Sequence, residues 1–294
     1  MKLLKDLNLL DRFLFAEAMD NPVVSEAVLG IIMGEEIHLL DKPQTEKELW
    51  ISPQLRSVRL DVYNMDELRR LFSTEMQGKN TGNLPRRGRY YQSLEDCSLL
   101  EPGAVDFNLL NDSFLITIAP FDLFGQGRYR YTFQMTCVED PEVKLGDGQT
   151  RIFLNTRGNN PDEVSTELVE LLRYIENTSD QTAKQCTSPS VRKIHEQIRK
   201  IKLSEEMGVK YMQAWEEKVY ERMEGKEEGR AEGKANEIRI IRKKLEKGLS
   251  SAEIAEILEV EESYISQIAG LCGSYPDESD QEIAARYFKE VEGK

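Results

Sequence analysis

The segment VRLDVYNMDELRRLFSTEMQ, residues 58–77, contains two stretches of alternating side chains on either side of a polar turn. In VRLDVY the apolar side chains of residues 58, 60 and 62 face one way, whereas Arg59, Asp61 and Tyr63 face the other, as in a β-strand. Residues 64–70 are polar and typical of a turn, and residues 71–77 resume as a strand. The segment therefore predicts an antiparallel hairpin.

The geometry of this hairpin brings two acids together. Pairing about a turn centred near Leu68 sets Asp61 opposite Glu75, and strand alternation places Gln77 on the same face as Glu75. Hard oxygen ligands of this kind suit Mg²⁺ or Mn²⁺, which also accept a phosphate oxygen. Such a metal can activate a water for phosphodiester hydrolysis. On spacing alone, the alternative is two ordinary acids on a half-solvated sheet.

The rest of the first 200 residues alternates between helical and strand patterns. Residues 6–33 have helical spacing with a break before Pro22, which predicts two helices or one interrupted helix. Further on, the pattern predicts a helix over 86–100 and strands over 114–124, 129–138 and 150–156. After residue 161 the chain is helical throughout. These elements predict an α/β fold with a mixed sheet flanked by helices and followed by a long helical extension.

We expect three parts: an α/β domain over 1–200, a charged helical connector over 201–247 and a small helix-turn-helix-like segment over 248–294. Glycines at 225, 229 and 233 would lie on one drifting helix face, either solvated or packed closely against a partner. The second helix of the last segment, ESYISQIAGLC, contains no basic residue, which argues against reading of DNA sequence. It could equally be a packing module.

Composition limits the classes of function. The 294-residue chain is 39% hydrophobic and 31% charged, with a net charge of −14, which argues against non-specific coating of nucleic acid. Residues 79–91 and 192–202 are nevertheless locally basic. The apolar runs are too short to span a bilayer and no signal-peptide core is present, so we expect a cytoplasmic protein. Four scattered cysteines predict reduced thiols, and two histidines leave little material for a histidine-based site.

Five blocks in the order of the chain carry a family resemblance. They are LRSVRLDVY with TEMQ, RRGRYYQSLEDCSLL, FDLFG followed by YRYTF, RIFLNTRG, and the helix ELVELL at 167–172. Together they resemble the Rpn-type recombination-promoting nucleases, also called PD-(D/E)XK nuclease family transposases, over roughly residues 1–235. The resemblance implies a restriction-endonuclease-like core and Mg²⁺-dependent or Mn²⁺-dependent DNA cleavage, associated with transposition or recombination.

The resemblance also implies a set of catalytic and metal-binding residues. Asp61 and Glu75 match the two acids of the core strands, and Gln77 stands where the wider superfamily has its lysine. Because a glutamine is neither a general base nor a cation, water activation would depend more heavily on the metal. A glutamate from the first helices would complete the metal site, with Glu26 preferred and Glu17 as the alternative.

The helix after the second hairpin strand supplies the predicted DNA contacts. We expect Arg87, Arg89 and Gln92 to contact DNA, and the intervening tyrosines to pack in the core. A homo-oligomer, such as a dimer, is expected by analogy, because two sites cut both strands most easily. The alternative is a catalytically silent member of the family that keeps the fold for DNA binding or oligomerisation.

Overall fold

The structure, a computed structural model, describes residues 2–50, 57–291 and 293. They form two compact units, Met1–Tyr211 and Met212–Lys294. The first unit contains a mixed sheet with helices on both faces, and the second is helical. The mixed α/β fold predicted from the sequence is confirmed.

The described strands form one six-stranded sheet. They are β1 (Gln44–Leu49), β2 (Val58–Met65), β3 (Leu71–Met76), β4 (Ser113–Ala119), β5 (Arg130–Phe133) and β6 (Gln149–Asn155). Their order is β1-β2-β3-β4-β6-β5. The pairs β1/β2, β2/β3 and β5/β6 are antiparallel, and β3/β4 and β4/β6 are parallel. The hairpin predicted over 58–77 is present, although its first strand extends two residues further into the predicted turn.

Ten helices are described. They are α1 (Arg12–Met19), α2 (Pro22–Met33), α3 (Leu84–Leu99), α4 (Thr166–Glu176), α5 (Asp180–Gln185), α6 (Pro189–Leu203), α7 (Glu205–Glu246), α8 (Ser251–Leu258), α9 (Glu262–Ser274) and α10 (Asp280–Arg286). Helices α1 to α6 belong to the first unit, α7 begins in the first unit and ends in the second, and α8 to α10 belong to the second. The predicted break at Pro22 is a true helix start, because Pro22 is the first residue of α2 and the side chain of Asn21 accepts a hydrogen bond from the Val23 N–H.

The main core lies on one face of the sheet. Helices α1, α2, α4 and α6 cover it, and the sheet contributes buried side chains such as Val62, Phe72, Ile116 and Ile152. Val58 and Leu60 pack in a separate cluster, so the prediction that they face the same way as Val62 is wrong.

The opposite face of the sheet is covered by α3, which approaches the central strands at Gly88. A Cβ atom at this position would lie 2.6 Å from Cδ2 of Leu115 on β4, so the glycine permits the close approach. Pro85 lies in the first turn of α3, where its missing N–H is not needed. The close approach at Gly88 sets the distance between α3 and the central strands of the sheet.

The second unit has its own core. Buried residues on the last turns of α7, including Ile238 and Ile241, pack with Ile254 of α8, Ile265 of α9 and Ile283 of α10. The predicted turn between α8 and α9 is present, with Glu259 in a left-handed conformation and α9 beginning at Glu262.

The predicted glycine step lies on α7 and is exposed to solvent. A Cβ atom placed on Gly225, Gly229 or Gly233 would have no described atom within 4 Å apart from its own helix and neighbours. The solvated alternative for this stretch therefore fits the described residues. None of the helices in the described ranges combines the length and apolar character needed to cross a membrane.

Candidate active site

The predicted acid pair lies where β2 and β3 separate. Their ladder pairs residues from Met65 opposite Leu71 to Val62 opposite Thr74, and Asp61 and Glu75 come next. Beyond that point the two strands are connected by hydrogen bonds between a carboxylate side chain and a backbone N–H. The N–H of Asp61 donates to Oε1 of Glu75 at 3.0 Å, and the N–H of Met76 donates to Oδ2 of Asp61 at 3.0 Å.

Each carboxylate therefore uses one oxygen to close the gap between the strands, and its other oxygen faces an arginine. Nη2 of Arg12 lies 2.8 Å from Oδ1 of Asp61, and Nη2 of Arg87 lies 3.6 Å from Oε2 of Glu75. Only 5% of the Asp61 side chain and 7% of the Glu75 side chain are exposed. The result is a compact group of two buried acids and two partly exposed cations.

Burial dominates the electrostatics of this group. Desolvation raises the pKa of Asp61, against the opposing effect of the Arg12 charge and of the Met76 N–H. Desolvation, and then the neighbouring Asp61, raise the pKa of Glu75 to about 8. A pair of carboxyl groups that resist joint ionisation is a common feature of functional sites, because a cation is needed to stabilise both charges.

A third acid lies in the same row of the sheet. The β1/β2 register places Glu46 opposite Asp61, and Nη2 of Arg12 lies 3.0 Å from Oε2 of Glu46. Nε of Arg59 contacts the same oxygen at 2.8 Å. Glu46 has a φ of +53°, in the left-handed region that is costly for a residue with a Cβ atom. Arg12 thus bridges acids on two neighbouring strands.

A groove opens beside the acid pair. It has a volume of about 610 Å³ and its lining includes Arg12, Arg59, Arg86, Arg87, Tyr90 and Tyr91. Its described lining contains no acidic residue. Arginine side chains present planar donors that match phosphate oxygens, and tyrosine rings offer faces for stacking.

The predicted residue Gln77 follows directly after β3 and lies next to this group. Its Oε1 accepts a hydrogen bond from Nη2 of Arg87 at 2.6 Å, and its Nε2 donates to the carbonyl of Lys79 at 2.8 Å. Both the oxygen and the nitrogen of the amide therefore have a hydrogen-bond partner. Asp61, Glu75, Gln77 and Arg87 are the predicted site residues that the structure brings together.

The structure does not bring Glu26 or Glu17 into the group. Oε1 of Glu26 accepts from the N–H of Leu39 at 3.1 Å, and Glu17 pairs with Lys210 at 2.6 Å. Within residues 2–50, 57–291 and 293, no cluster of three or more histidine, cysteine, aspartate or glutamate side chains is arranged to hold a metal. Glu26 lines a different cavity, together with His38 and Glu167.

Two of the three predicted DNA contacts lie elsewhere on α3. Gln92 is fully buried: its Nε2 donates to the Ser113 carbonyl at 3.2 Å and its Oε1 accepts from Nε of Arg151 at 2.7 Å. It is a core residue in this structure, with no surface for DNA. Arg89 is exposed. Burial of Arg151, and then the positive charge of Arg89, lower the pKa of Arg151.

The burial of Gln92 leads to a prediction. We expect Gln92→Leu to lower the free energy of unfolding by about 2 kcal/mol, because a buried serine carbonyl and the Arg151 guanidinium would lose their partner. Chemical denaturation measures this loss. The control is Ser93→Ala, which changes the adjacent exposed residue of the same helix. Equal stability of the two variants would contradict a structural role for Gln92.

The sequence did not single out Arg12, Glu46 or Arg59 as site residues. The strand that carries Glu46 reads QTEKEL and lacks alternating apolar residues, because it is an edge strand with little to bury. Arg12 comes from a helix far from the hairpin in sequence. A detectable signal was the capping residue Asp11 immediately before it, which fixes the start of α1 and so the position of Arg12.

Comparison with known proteins found no match among protein-family models, curated proteins or solved structures.

Proposed function

We propose that the first unit is a divalent-metal-dependent DNA endonuclease. The observation that carries the proposal is the Asp61–Glu75 pair at the point where β2 and β3 separate, next to a groove lined by four arginines. The pair supplies oxygen donors, and the groove supplies positive charge for a phosphodiester backbone. Metal-dependent phosphodiester hydrolysis uses both.

The donor set fits a hard divalent ion. Oδ1 of Asp61 and Oε2 of Glu75 face guanidinium groups, so a cation placed between the acids would replace charge that the arginines now provide. Mg²⁺ is usually held by one or two carboxylates together with waters and substrate phosphates, so two acids suffice. When bound, the ion would lower the pKa of a water and neutralise charge on the phosphate.

The chain's own residues would perform the other tasks. The backbone N–H groups of Asp61 and Met76 hold the two carboxylates in fixed orientations. Arg59, Arg86 and Arg87 would bind phosphate oxygens along the groove, and Tyr90 and Tyr91 would contact sugars or bases. Binding through the arginines of this groove neutralises phosphate charge, so we expect it to weaken steeply with salt.

The second candidate function is a catalytically silent DNA-binding module on the same fold. The observation that favours it is Arg12, whose guanidinium lies between Asp61 and Glu46 where it neutralises the site without a metal. The two functions differ in their response to divalent ions. A role in transposition or recombination, and a dimeric state, extend the first proposal through the family resemblance.

The test is nicking of supercoiled plasmid with Mg²⁺, Mn²⁺, Ca²⁺ or EDTA. We expect cleavage with Mg²⁺ or Mn²⁺, none with EDTA, and a loss of at least about 100-fold in Asp61→Ala, since the metal would lose one of its two acidic ligands. Because Ala leaves the Met76 N–H without its carboxylate, Asp61→Asn is measured alongside it. A shift of the melting temperature by Mn²⁺ reports metal binding independently of cleavage.

The matched control is Glu48→Ala, which removes an exposed acid from β1 of the same sheet. It should cleave like the wild type. DNA binding without cleavage in any metal, together with an unchanged melting temperature in Mn²⁺, would favour the silent module. Activity in both Asp61 variants equal to that of the wild type would refute the assignment of the site.

A further inference from the structure

Arg87 is held in place by three groups at once. Its Nη2 donates to Oε1 of Gln77 at 2.6 Å and lies 3.6 Å from Oε2 of Glu75, and its Cζ lies 5.5 Å from the centroid of the Tyr91 ring. The side chain is 28% exposed and lines the groove. It is therefore both fixed beside the acid pair and open to a ligand in the groove.

Gln77 is itself fixed, so that its oxygen must face Arg87. The other end of the amide, Nε2, donates to the Lys79 carbonyl at 2.8 Å, and the reverse orientation would set an NH₂ group against the guanidinium. The amide is thus engaged at both ends by groups other than the acids. This arrangement uses Gln77 as a support for a cation.

We propose that Arg87 supplies the positive charge at the cleaved phosphate and that Gln77 acts as the positioning residue that aims it. This inference rests on the proposed nuclease function. A guanidinium can donate two parallel hydrogen bonds to non-bridging phosphate oxygens, and it stays protonated throughout the reaction. No proton passes through Arg87 or Gln77 in this role: they stabilise the negative charge that grows as water attacks phosphorus.

The geometry explains how a chain with glutamine at residue 77 would still place a cation at the acid pair. Arg87 comes from the first turn of α3, and Pro85 and Gly88 fix where that turn lies over the sheet. The cation is thus delivered by the helix next to β3. Arg87, and not residue 77, would supply the positive charge at the phosphate, and one hydrogen bond connects the two side chains.

The experiment measures kcat and KM for plasmid nicking in saturating Mn²⁺. We expect Arg87→Ala to lower kcat about 100-fold, with the melting-temperature shift caused by Mn²⁺ retained, and Arg87→Lys to recover part of the rate. Added guanidinium chloride at millimolar concentration should partly rescue Arg87→Ala and leave Asp61→Asn inactive. The control is Lys184→Ala, which removes an exposed positive charge on α5.

Gln77 is tested through its dependence on Arg87. Gln77→Glu should retain most of the rate, because its side chain still accepts a hydrogen bond from Arg87. We expect Gln77→Leu to lower kcat about tenfold in the wild-type background and to cost nothing further in the Arg87→Ala background. In that same background, Gln77→Lys should restore cleavage, because an ammonium group then reaches the pair from β3.

The outcomes separate this inference from the function on which it rests. A wild-type protein that cleaves nothing in any metal overturns both. If the wild type is active and the kcat of Arg87→Ala is within twofold of the wild-type value, the inference is overturned and the nuclease function stands. Additive losses in Gln77→Leu/Arg87→Ala would overturn the positioning role of Gln77, and circular dichroism of each variant separates these results from unfolding.

Discussion

Glu75→Gln should make the protein more stable than the wild type at pH 9 and no more stable at pH 4. Burial, and then the neighbouring Asp61, raise the pKa of Glu75 to about 8, from 4.5 for an ordinary glutamate. The folded state therefore holds this proton more tightly than the unfolded chain. The contribution of Glu75 to the free energy of unfolding is fully present below about pH 4.5 and is lost as the pH rises towards 8.

The glutamine side chain of this variant would keep an oxygen that accepts from the Asp61 N–H, and it cannot ionise. We expect the difference in free energy of unfolding between variant and wild type to grow with pH and to level off above about pH 8, at roughly 2 to 4 kcal/mol. Urea denaturation in EDTA from pH 4 to 9 measures it. Glu48→Gln, at an exposed position on β1, provides the baseline. Parallel curves for the two variants would refute the raised pKa of Glu75.

Arg12→Ala should destabilise the protein by about 2 kcal/mol near neutral pH, because Asp61 would keep a buried charge without its partner and Glu46 would lose one of its two arginines. The Arg12 charge opposes the rise in the pKa of Asp61, so the loss should shrink at low pH, where Asp61 becomes protonated. Mn²⁺ should recover more stability in this variant than in the wild type if the ion takes the same position.

Arg59→Ala is the matched comparison for Arg12. Arg59 contacts Glu46 alone among the three acids and its side chain is 55% exposed, so its removal should cost less than about 1 kcal/mol. Thermal and urea denaturation of both variants, with and without Mn²⁺, provide the data. A cost for Arg12→Ala no greater than that for Arg59→Ala would contradict the bridging role.

The sequence predicted the hairpin well because its signals are local. Alternation along residues 71–77 sets the face of each side chain on β3, and the centre of the turn sets the register, which places Asp61 next after Val62–Thr74 and therefore opposite Glu75. On β2 the predicted alternation holds only in part, because Leu60 packs with Tyr63 and not with Val62. The strand predicted over 114–124 ends at Ala119 because Pro120 cannot donate to a ladder. The following residues turn around Asp122, which accepts from the N–H groups of Phe124 and Gly127.

The surroundings of the acid pair depend on contacts that no local pattern contains. Arg12 and Glu46 reach Asp61 from elements tens of residues away in the chain, and Glu46 does so from a polar edge strand. Gln92 was expected to contact DNA, yet the close approach of α3 at Gly88 carries it into the core. Helical periodicity says which residues share a face, and tertiary packing decides which face is buried.

The carboxylates that close the gap between β2 and β3 have a consequence for how this chain can drift. Because they satisfy the N–H groups of Asp61 and Met76, folding alone selects for a side-chain oxygen at both positions, whether or not DNA is ever cut. In descendants released from the need for cleavage, residue 61 should alternate between Asp and Asn and residue 75 between Glu and Gln, while Arg87 and the arginines of the groove diverge. The loss of the two negative charges, with both oxygens kept, should distinguish inactive descendants from active ones.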